Sequence, residues 1–319
     1  MKKQKILICG ATGFIGRNIA ERISQRDDME VFGTYLKSEP LLDPKINMIH
    51  ADLRKEEDVN SVVKGMDVIV QTAATTTGSK DVIERPYIHV TDNAVMNSLL
   101  LRAAFDNSVS HFIFPSCTVM YQPSDSLVKE EDFNHNILPN YFGVGNTKVY
   151  IEKMCEFFSR LGRTKHTVMR HSNIYGPYDK FDLEKSHVFG ATVTKVMTAP
   201  DGSDILVWGT GEEERDLLYV SDLVNFVESA MEKQQAQYKL YNVGYGSSIS
   251  VRDLVGKIIH HSGKNLGLKF DPTKPTIKTK LALDSSKAKE DFGWSPQVSL
   301  DEGIRKTIDW YKENGQDYR

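Results

Sequence analysis

Short apolar runs that end in polar or small residues recur through the first half of the chain, separated by stretches with helical spacing. Lys5-Ile-Leu-Ile, Glu30-Val-Phe-Gly-Thr-Tyr35, Met48-Ile-His-Ala-Asp52 and Asp67-Val-Ile-Val-Gln-Thr-Ala-Ala74 each predict a short buried strand. Helical spacing follows the first run over 18–23. It returns from Thr91 to Phe105 and from Val149 to Leu161, each time leading into another apolar run, His111-Phe-Ile-Phe-Pro-Ser116 and His166-Thr-Val-Met-Arg170. Repeated strand-helix units imply right-handed crossovers, so the expected class is α/β with a doubly wound parallel sheet. From Gly176 onward the pattern loosens into loops, short helices and Pro/Gly breaks, as suits a smaller lobe on the sheet's C-terminal edge. The expected division is a sheet domain over 1–175 and a mainly ligand-binding lobe over 176–319, with segments returning to the sheet.

Where the first strand ends, glycines stand at 10, 13 and 16, and a helical run follows. A pyrophosphate at a helix N-terminus needs free backbone N–H groups, and only residues without Cβ let backbone and phosphate approach closely. Gly10 suits the turn, Gly13 the phosphate approach and Gly16 the packing of helix on strand. A dinucleotide-binding turn is the implied site.

A net charge of −3 over 319 residues gives no electrostatic reason to expect nucleic acid or a membrane surface as partner. Met-Lys-Lys-Gln at the start is followed by too few apolar residues for a signal segment, and no run approaches a membrane span, so a cytoplasmic protein is expected. Cys9, Cys117 and Cys155 are far apart and have no metal-ligand spacing, which supports neither a disulfide framework nor a metal site.

Taken together, Gly10-x-x-Gly-x-x-Gly16, Asp52-Leu53, Ala73-Ala74, Asn93, Arg170-His-Ser-Asn-Ile-Tyr-Gly-Pro177, Trp208-Gly-Thr-Gly, Arg215-Asp-Leu-Leu-Tyr-Val-Ser-Asp222, Tyr241-Asn-Val-Gly244 and Phe292-Gly-Trp-Ser-Pro296 resemble one family over essentially the whole chain. It is the extended short-chain dehydrogenase/reductases, the NAD-dependent epimerase/dehydratase group that works on nucleotide sugars. Within that group, Asn173-x-Tyr-Gly-Pro, Lys185-Ser-His187-Val and Trp208 to Arg215 are most similar to an epimerase-reductase branch acting on 4-keto-6-deoxy hexoses. The resemblance implies a dinucleotide against Gly10, Thr12, Gly13, Phe14, Ile15, Gly16, Arg17, Tyr35, Lys37, Asp52, Leu53, Ala73, Ala74, Asn93, Lys148, His171, Asn173 and Ile174. It implies a nucleotide-diphosphate sugar against Asn173, His187, Lys195, Trp208 and Arg215, and a homodimer built from the helices near 91–105 and 148–161. Asp52 can accept from an adenine amino group or be a surface turn residue, and Asn93 can pin neighbouring loops or lie on a helix surface. Gly33-Thr-Tyr-Leu-Lys-Ser38 holds no acid to take both ribose hydroxyls, whereas Arg17 and Lys37 can meet a phosphate, so NADP is favoured over NAD.

The family's chemistry rests on a Ser/Thr, a Tyr and a Lys, with Tyr and Lys four apart on one helix so that the ammonium can lower the phenol's pKa. Lys148 is present, preceded by Gly145-Asn-Thr, but Val144 stands four residues before it. Valine can neither give nor take a proton. Tyr141, about one turn (~5 Å) nearer the N-terminus on the same face, can replace the missing group. Ser116 or Thr118 can relay a proton through water. Alternatively, hydride transfer is weak, and the chain serves another reaction or binds a dinucleotide without turnover as a sensor or partner protein; a further enzymatic alternative is a nucleotide-sugar 4-epimerase or dehydratase that uses a retained NAD cyclically. Thr118 occupies the place of the family's epimerising cysteine, while Cys117 is expected to face away as a small buried hydrophobe. His187 matches the family's histidine, with a pKa near 6.5 that suits proton transfer or hydrogen bonding.

Overall fold

The run Ile6-Leu7-Ile8-Cys9 is inaccessible on both faces, the condition of a central strand in a parallel sheet. The computed structural model, which describes residues 3–76, 84–183, 186–274 and 279–315, places it in a seven-stranded sheet. The strands are β1 (Gln4–Cys9), β2 (Met29–Tyr35), β3 (Ile46–His50), β4 (Val68–Gln71), β5 (His111–Pro115), β6 (Lys165–His171) and β10 (Tyr238–Val243), in the order β10-β6-β5-β4-β1-β2-β3. All pairs are parallel, with Ile6 opposite both Val31 and Val68.

Alternation along β1 divides the core between two helical layers. Ile6 and Ile8 pack with Ile19, Ala20 and Ile23 of α1 (Phe14–Ile23) and with Leu223, Val224 and Val227 of α6 (Val220–Lys233). Leu7 and Cys9 pack with Val59 and Val62 of α2 (Glu56–Val63), Leu100 and Leu101 of α3 (Thr91–Asp106), and Ile151 and Cys155 of α4 (Phe142–Arg160). This is the doubly wound arrangement that the apolar runs predict.

Helix α4 begins seven residues before the expected Val149, drawing Tyr141, Val144 and Lys148 into one helical start. The glycines there make room for neighbours. A Cβ on Gly145 would lie 2.9 Å from Ile137 Cγ2, and one on Gly143 would lie 3.0 Å from Val90 Cγ2.

Past Gly176 a second core gathers Tyr175, Phe189, Val193, Leu217, Tyr219, Leu254, Val255, Ile304 and Ile308. It is framed by a three-stranded sheet of β7 (Asn173–Tyr175), β9 (Glu214–Tyr219) and β11 (Ser248–Ser250), and by β8 (Asp204–Trp208) paired with β12 (Gly267–Asp271). Helices α5 (Val188–Thr198), α7 (Val251–Ser262) and α9 (Leu300–Asn314) cover it. Ser250 caps α7 by accepting the Asp253 N–H at 3.0 Å, and Gly263 ends it at φ 75°. Between these elements the chain returns to the main sheet through α6 and β10, which pairs with β6 from Tyr238 to Val243.

His166 is fully buried at the start of β6, its ring beside Phe112, and among the described residues neither ring nitrogen has a hydrogen-bond partner. Burial pushes its pKa down to about 4, so in the folded protein it stays neutral where the unfolded chain takes a proton. Stability linked to this group is present above pH 6.5 and lost as pH falls towards 4. A His166→Leu variant is therefore expected to gain stability on the order of 2 kcal/mol relative to the natural chain between pH 6.5 and 4. Denaturant midpoints measured across that range check this; a constant difference between the two proteins would refute it.

Candidate active site

Backbone crowding defines the glycine turn. Gly10 has φ +75°, in the region that disfavours a side chain, and a Cβ there would lie 2.8 Å from Ala73 Cα. Its N–H donates to Thr34 Oγ1 at 2.9 Å. A Cβ on Gly16 would lie 2.2 Å from the Gly10 carbonyl oxygen and 2.6 Å from Thr72 Oγ1, so α1 can pack this closely only with glycine. Gly13 is exposed at the N-cap of α1 and no side chain caps that helix, which leaves its first N–H groups facing outward as an anion site. The cradle thus fits a dinucleotide pyrophosphate. Thr12 is half-buried on this turn, and Phe14 and Ile15 pack against the core beneath it.

The remaining residues expected at the dinucleotide differ in their surroundings. Arg17 donates from Nε to Glu21 at 2.7 Å, and its guanidinium lies 3.8 Å from the Tyr178 ring centre. The Tyr35 ring meets His50 edge-on at 5.4 Å, and Lys37 is exposed beyond it. Both carboxylate oxygens of Asp52 accept from Arg54, each at 2.8 Å, which holds its pKa down at about 2; Leu53 is buried. Ala73 is half-buried against Gly10 and Ala74 is exposed. Asn93 is a pin: its Oδ1 accepts the Thr75 N–H at 2.9 Å while Nδ2 donates to the carbonyls of Thr75 at 2.9 Å and His89 at 2.8 Å. Its amide thereby fixes the loop after β4 rather than reaching outward. Ile174 is buried in the core, His171 Nδ1 lies 2.7 Å from the Ser172 carbonyl, and Asn173 donates to the Asp216 carbonyl at 3.2 Å.

At the end of β5 the structure departs from the role expected of Ser116. Ser116 lies on the same face as Phe112 and Phe114, towards α4, where its hydroxyl donates to buried Glu152 at 2.6 Å. Ser116 is thus spent on the core and cannot bond a sugar or relay a proton at the cleft. Cys117, on the alternate face, is half-buried and within electrostatic reach of Lys148 and Tyr141. Thr118 lines the cleft with Tyr141, Asn173 and Arg215. Lys148 Nζ donates to the Pro115 carbonyl at 3.3 Å and lies 4.8 Å from the Phe114 ring centre.

Tyr141 occupies the N-cap of α4. Burial raises the pKa of its phenol, and the neighbouring Arg215 charge partly opposes this. His187, solvent-accessible at the N-cap of α5 yet hemmed in by protein, is held below its ordinary pKa by desolvation and by the charges of Lys180 and Arg215. Arg215 donates to the carbonyls of Glu214 at 2.8 Å and Thr279 at 3.2 Å and to the Thr279 hydroxyl. Lys195 and Trp208 instead pair with each other: the ammonium lies 5.9 Å from the indole centre and donates to the Leu206 carbonyl at 3.1 Å. Trp208 is 41% exposed, a broad face turned to solvent.

Sequence reasoning overlooked Thr279, Gln122 and Lys180. The first two line the cleft, and Lys180 donates to the Thr76 carbonyl at 3.1 Å. No local pattern announces Thr279, which meets the cleft 64 residues from Arg215, and Gln122 is carried in four residues past Thr118. Glu152 carried a signal that went unused, since it follows Lys148 by four residues on one helical face.

Residues 6–244 match the model of the NAD dependent epimerase/dehydratase family. The chain belongs to that family. This epimerase/dehydratase chain is 28% identical to the GDP-L-fucose synthase of Escherichia coli K12 over 335 aligned positions, covering 100% of both chains. It is 27% identical to the GDP-L-colitose synthase of Yersinia pseudotuberculosis, covering 96% of this chain and 97% of that one. Among solved structures it resembles the UDP-glucose 4-epimerase of Thermotoga maritima, determined with UDP-glucose, at TM-score 0.87 and 25% identity over 98% of this chain and 99% of that one.

The three cysteines of this family member test the turn at β5 directly. Cys9 and Cys155 are fully buried. Under native conditions a small alkylating reagent is expected to modify Cys117 first and the other two only on unfolding, as read by peptide mass spectrometry. Modification of Cys9 or Cys155 at a rate equal to Cys117 would refute the assigned orientation.

Proposed function

We propose that the chain modifies the hexose of a nucleotide-diphosphate sugar by oxidoreduction, epimerisation or both, most like a GDP-L-fucose synthase acting on a 4-keto-6-deoxy hexose. The observation that carries this reading is a cleft lined by Thr118, Tyr141, Asn173 and Arg215, with Lys148 about two turns along α4 from Tyr141. Its kinship with the fucose and colitose synthases and the exposed Trp208 face beside Lys195 support a sugar nucleotide as occupant. In the sheet domain over 1–175, a dinucleotide would be held by Gly10, Gly13, Gly16 and the first N–H groups of α1, with the lobe over 176–319 supplying most contacts to the sugar nucleotide. When bound there, a nicotinamide dinucleotide supplies the oxidising or reducing equivalents. The absence of an acid over Gly33–Ser38 and the exposed Lys37 favour NADP over NAD, whereas Arg17 is already partly engaged by Glu21.

The proton falls to Tyr141. Burial keeps its phenol protonated at neutral pH, as a donor requires, and Arg215 stabilises the phenolate left behind. Lys148 adds positive field from the same helix, and neutral His187 is suited to accept or return a proton on the lobe side. Arg215 has the charge to meet a phosphate once its carbonyl partners yield. Likeness to a UDP-glucose 4-epimerase supports a second reading, in which oxidation and re-reduction occur within one turnover and leave the dinucleotide unchanged.

A panel of GDP-, dTDP- and UDP-hexoses and their 4-keto-6-deoxy forms, assayed with NADPH and NADH for absorbance change and for epimerised product, separates these readings. With the active substrate, Tyr141→Phe is expected to lower kcat ~10²–10⁴-fold while dinucleotide binding persists. Arg215→Ala is expected to raise the Kd for the nucleotide sugar at least ~tenfold. Near-normal turnover of the phenylalanine variant would remove Tyr141 from the chemistry, and failure of every sugar nucleotide to bind would sink the whole reading.

Val95 on α3 and Tyr150 and Phe157 on α4 are 40%, 51% and 56% exposed, an apolar face that supports a homodimer through these helices. Light scattering is expected to give twice the 36.1 kDa chain mass. Replacing Tyr150 and Phe157 by Glu should halve it, and a monomeric natural chain would exclude the dimer.

A further inference from the structure

Beneath the cleft lies a buried ionic network that the chemistry above does not use. Glu152, 3% exposed, sits one turn beyond Lys148 on the same face of α4. Its Oε1 accepts the Ser116 hydroxyl at 2.6 Å and Arg170 Nε at 3.1 Å, and its Oε2 accepts Arg170 Nη2 at 2.7 Å. Arg170, 4% exposed at the end of β6, donates from Nη1 to the Tyr121 hydroxyl at 2.9 Å and the Glu130 carbonyl at 3.3 Å. Tyr121 and Phe133 lie against the guanidinium, their ring centres 5.1 and 5.0 Å away. The Tyr121 hydroxyl donates to Asn242 Oδ1 at 2.7 Å. Asn242 on β10 donates to the Val128 carbonyl at 2.7 Å, and its N–H donates to Glu130 Oε1 at 2.7 Å. One set of bonds therefore joins α4, the ends of β5 and β6, β10 and the loop that begins at Ser116.

Stability alone does not explain two charges here. Desolvation offsets most of their attraction, and an apolar pair of similar volume would hold these elements about as well. What an apolar pair lacks is direction. A carboxylate forked onto a guanidinium fixes both distance and angle, and each bond continues into another element. The segment so fixed, Ser116–Tyr121, carries Cys117 and Thr118, and Lys148 touches its upstream end through the Pro115 carbonyl.

We propose that Glu152 and Arg170 are positioning residues, which hold Cys117 and Thr118 in register with Lys148 and Tyr141 across the cleft. The proposal rests on the reading of that cleft as the reacting centre.

The test compares the natural chain with Ser116→Ala, which cuts only the link to β5, and with the paired Glu152→Leu/Arg170→Met variant, which replaces both charges by apolar groups. For each, the thermal unfolding midpoint, the rate of Cys117 alkylation under native conditions, and kcat and KM with the substrate found by the panel are measured. A purely structural network predicts that the paired variant recovers stability, thiol protection and turnover together. Positioning predicts a midpoint within a few degrees of the natural chain, Cys117 alkylated at least ~tenfold faster, and kcat down ~10- to 100-fold at nearly constant KM. Ser116→Ala is expected to move thiol reactivity and kcat in the same directions by smaller factors, and it decides the matter if the paired variant does not fold. Natural alkylation rates and kcat in a folded variant would overturn the proposal. Should no sugar nucleotide turn over, the alkylation rates alone decide it, because they depend on no substrate.

Discussion

Three stretches of backbone meet more closely at Gly10, Ala73 and Gly16 than side chains would permit, and the geometry of the cleft follows from that contact. The end of β1, the end of β4 and the start of α1 come within van der Waals distance because two of the three residues have no Cβ. Thr34 adds a hydroxyl from β2 to the same point. Four elements are thus referenced to one position, and the N-terminus of α1 is held open above it. Stored strain is small, since glycine takes φ +75° without penalty.

The opposite wall of the cleft is organised by charge. Arg215 lines it beside Glu214, and the charges of Arg215 and Lys180 add to the desolvation that holds His187 below its ordinary pKa. Val144 lies in a helix start about two turns before the expected Val149, and that start places Tyr141 at the rim of the cleft.

Legibility from sequence tracked how local the determining interaction was. The doubly wound sheet could be read because continuous apolar runs and the glycine triplet are contiguous signals, and β1 shows both faces buried as such a run requires. Helical spacing alone placed the start of α4 at Val149, because Gly143 and Gly145 look like breakers until their contacts with Val90 and Ile137 are seen, whereas the Tyr141-to-Lys148 face already implied the earlier start. Ser116 was expected at the sugar, yet its hydroxyl turns to the core; Cys117 was set on the face opposite Thr118, and Thr118 lines the cleft while Cys117 does not. Alternation along a strand fixes relative orientation only, and the absolute sense came from Glu152, 36 residues away. Thr279 was beyond reach, since its approach to Arg215 spans 64 residues.

The seventh strand has a consequence for how the chain is made. β10 pairs only with β6 at the sheet's edge, yet its residues, Tyr238–Val243, follow the first part of the lobe in sequence. On a ribosome, the domain that begins at β1 cannot close that edge until the elements from β7 to α6 have emerged. The N-terminal half therefore waits with β6 uncovered, and Arg170 waits without the Asn242 end of its network. Synthesis and folding are coupled late, in a single step that completes the sheet and the floor of the cleft together.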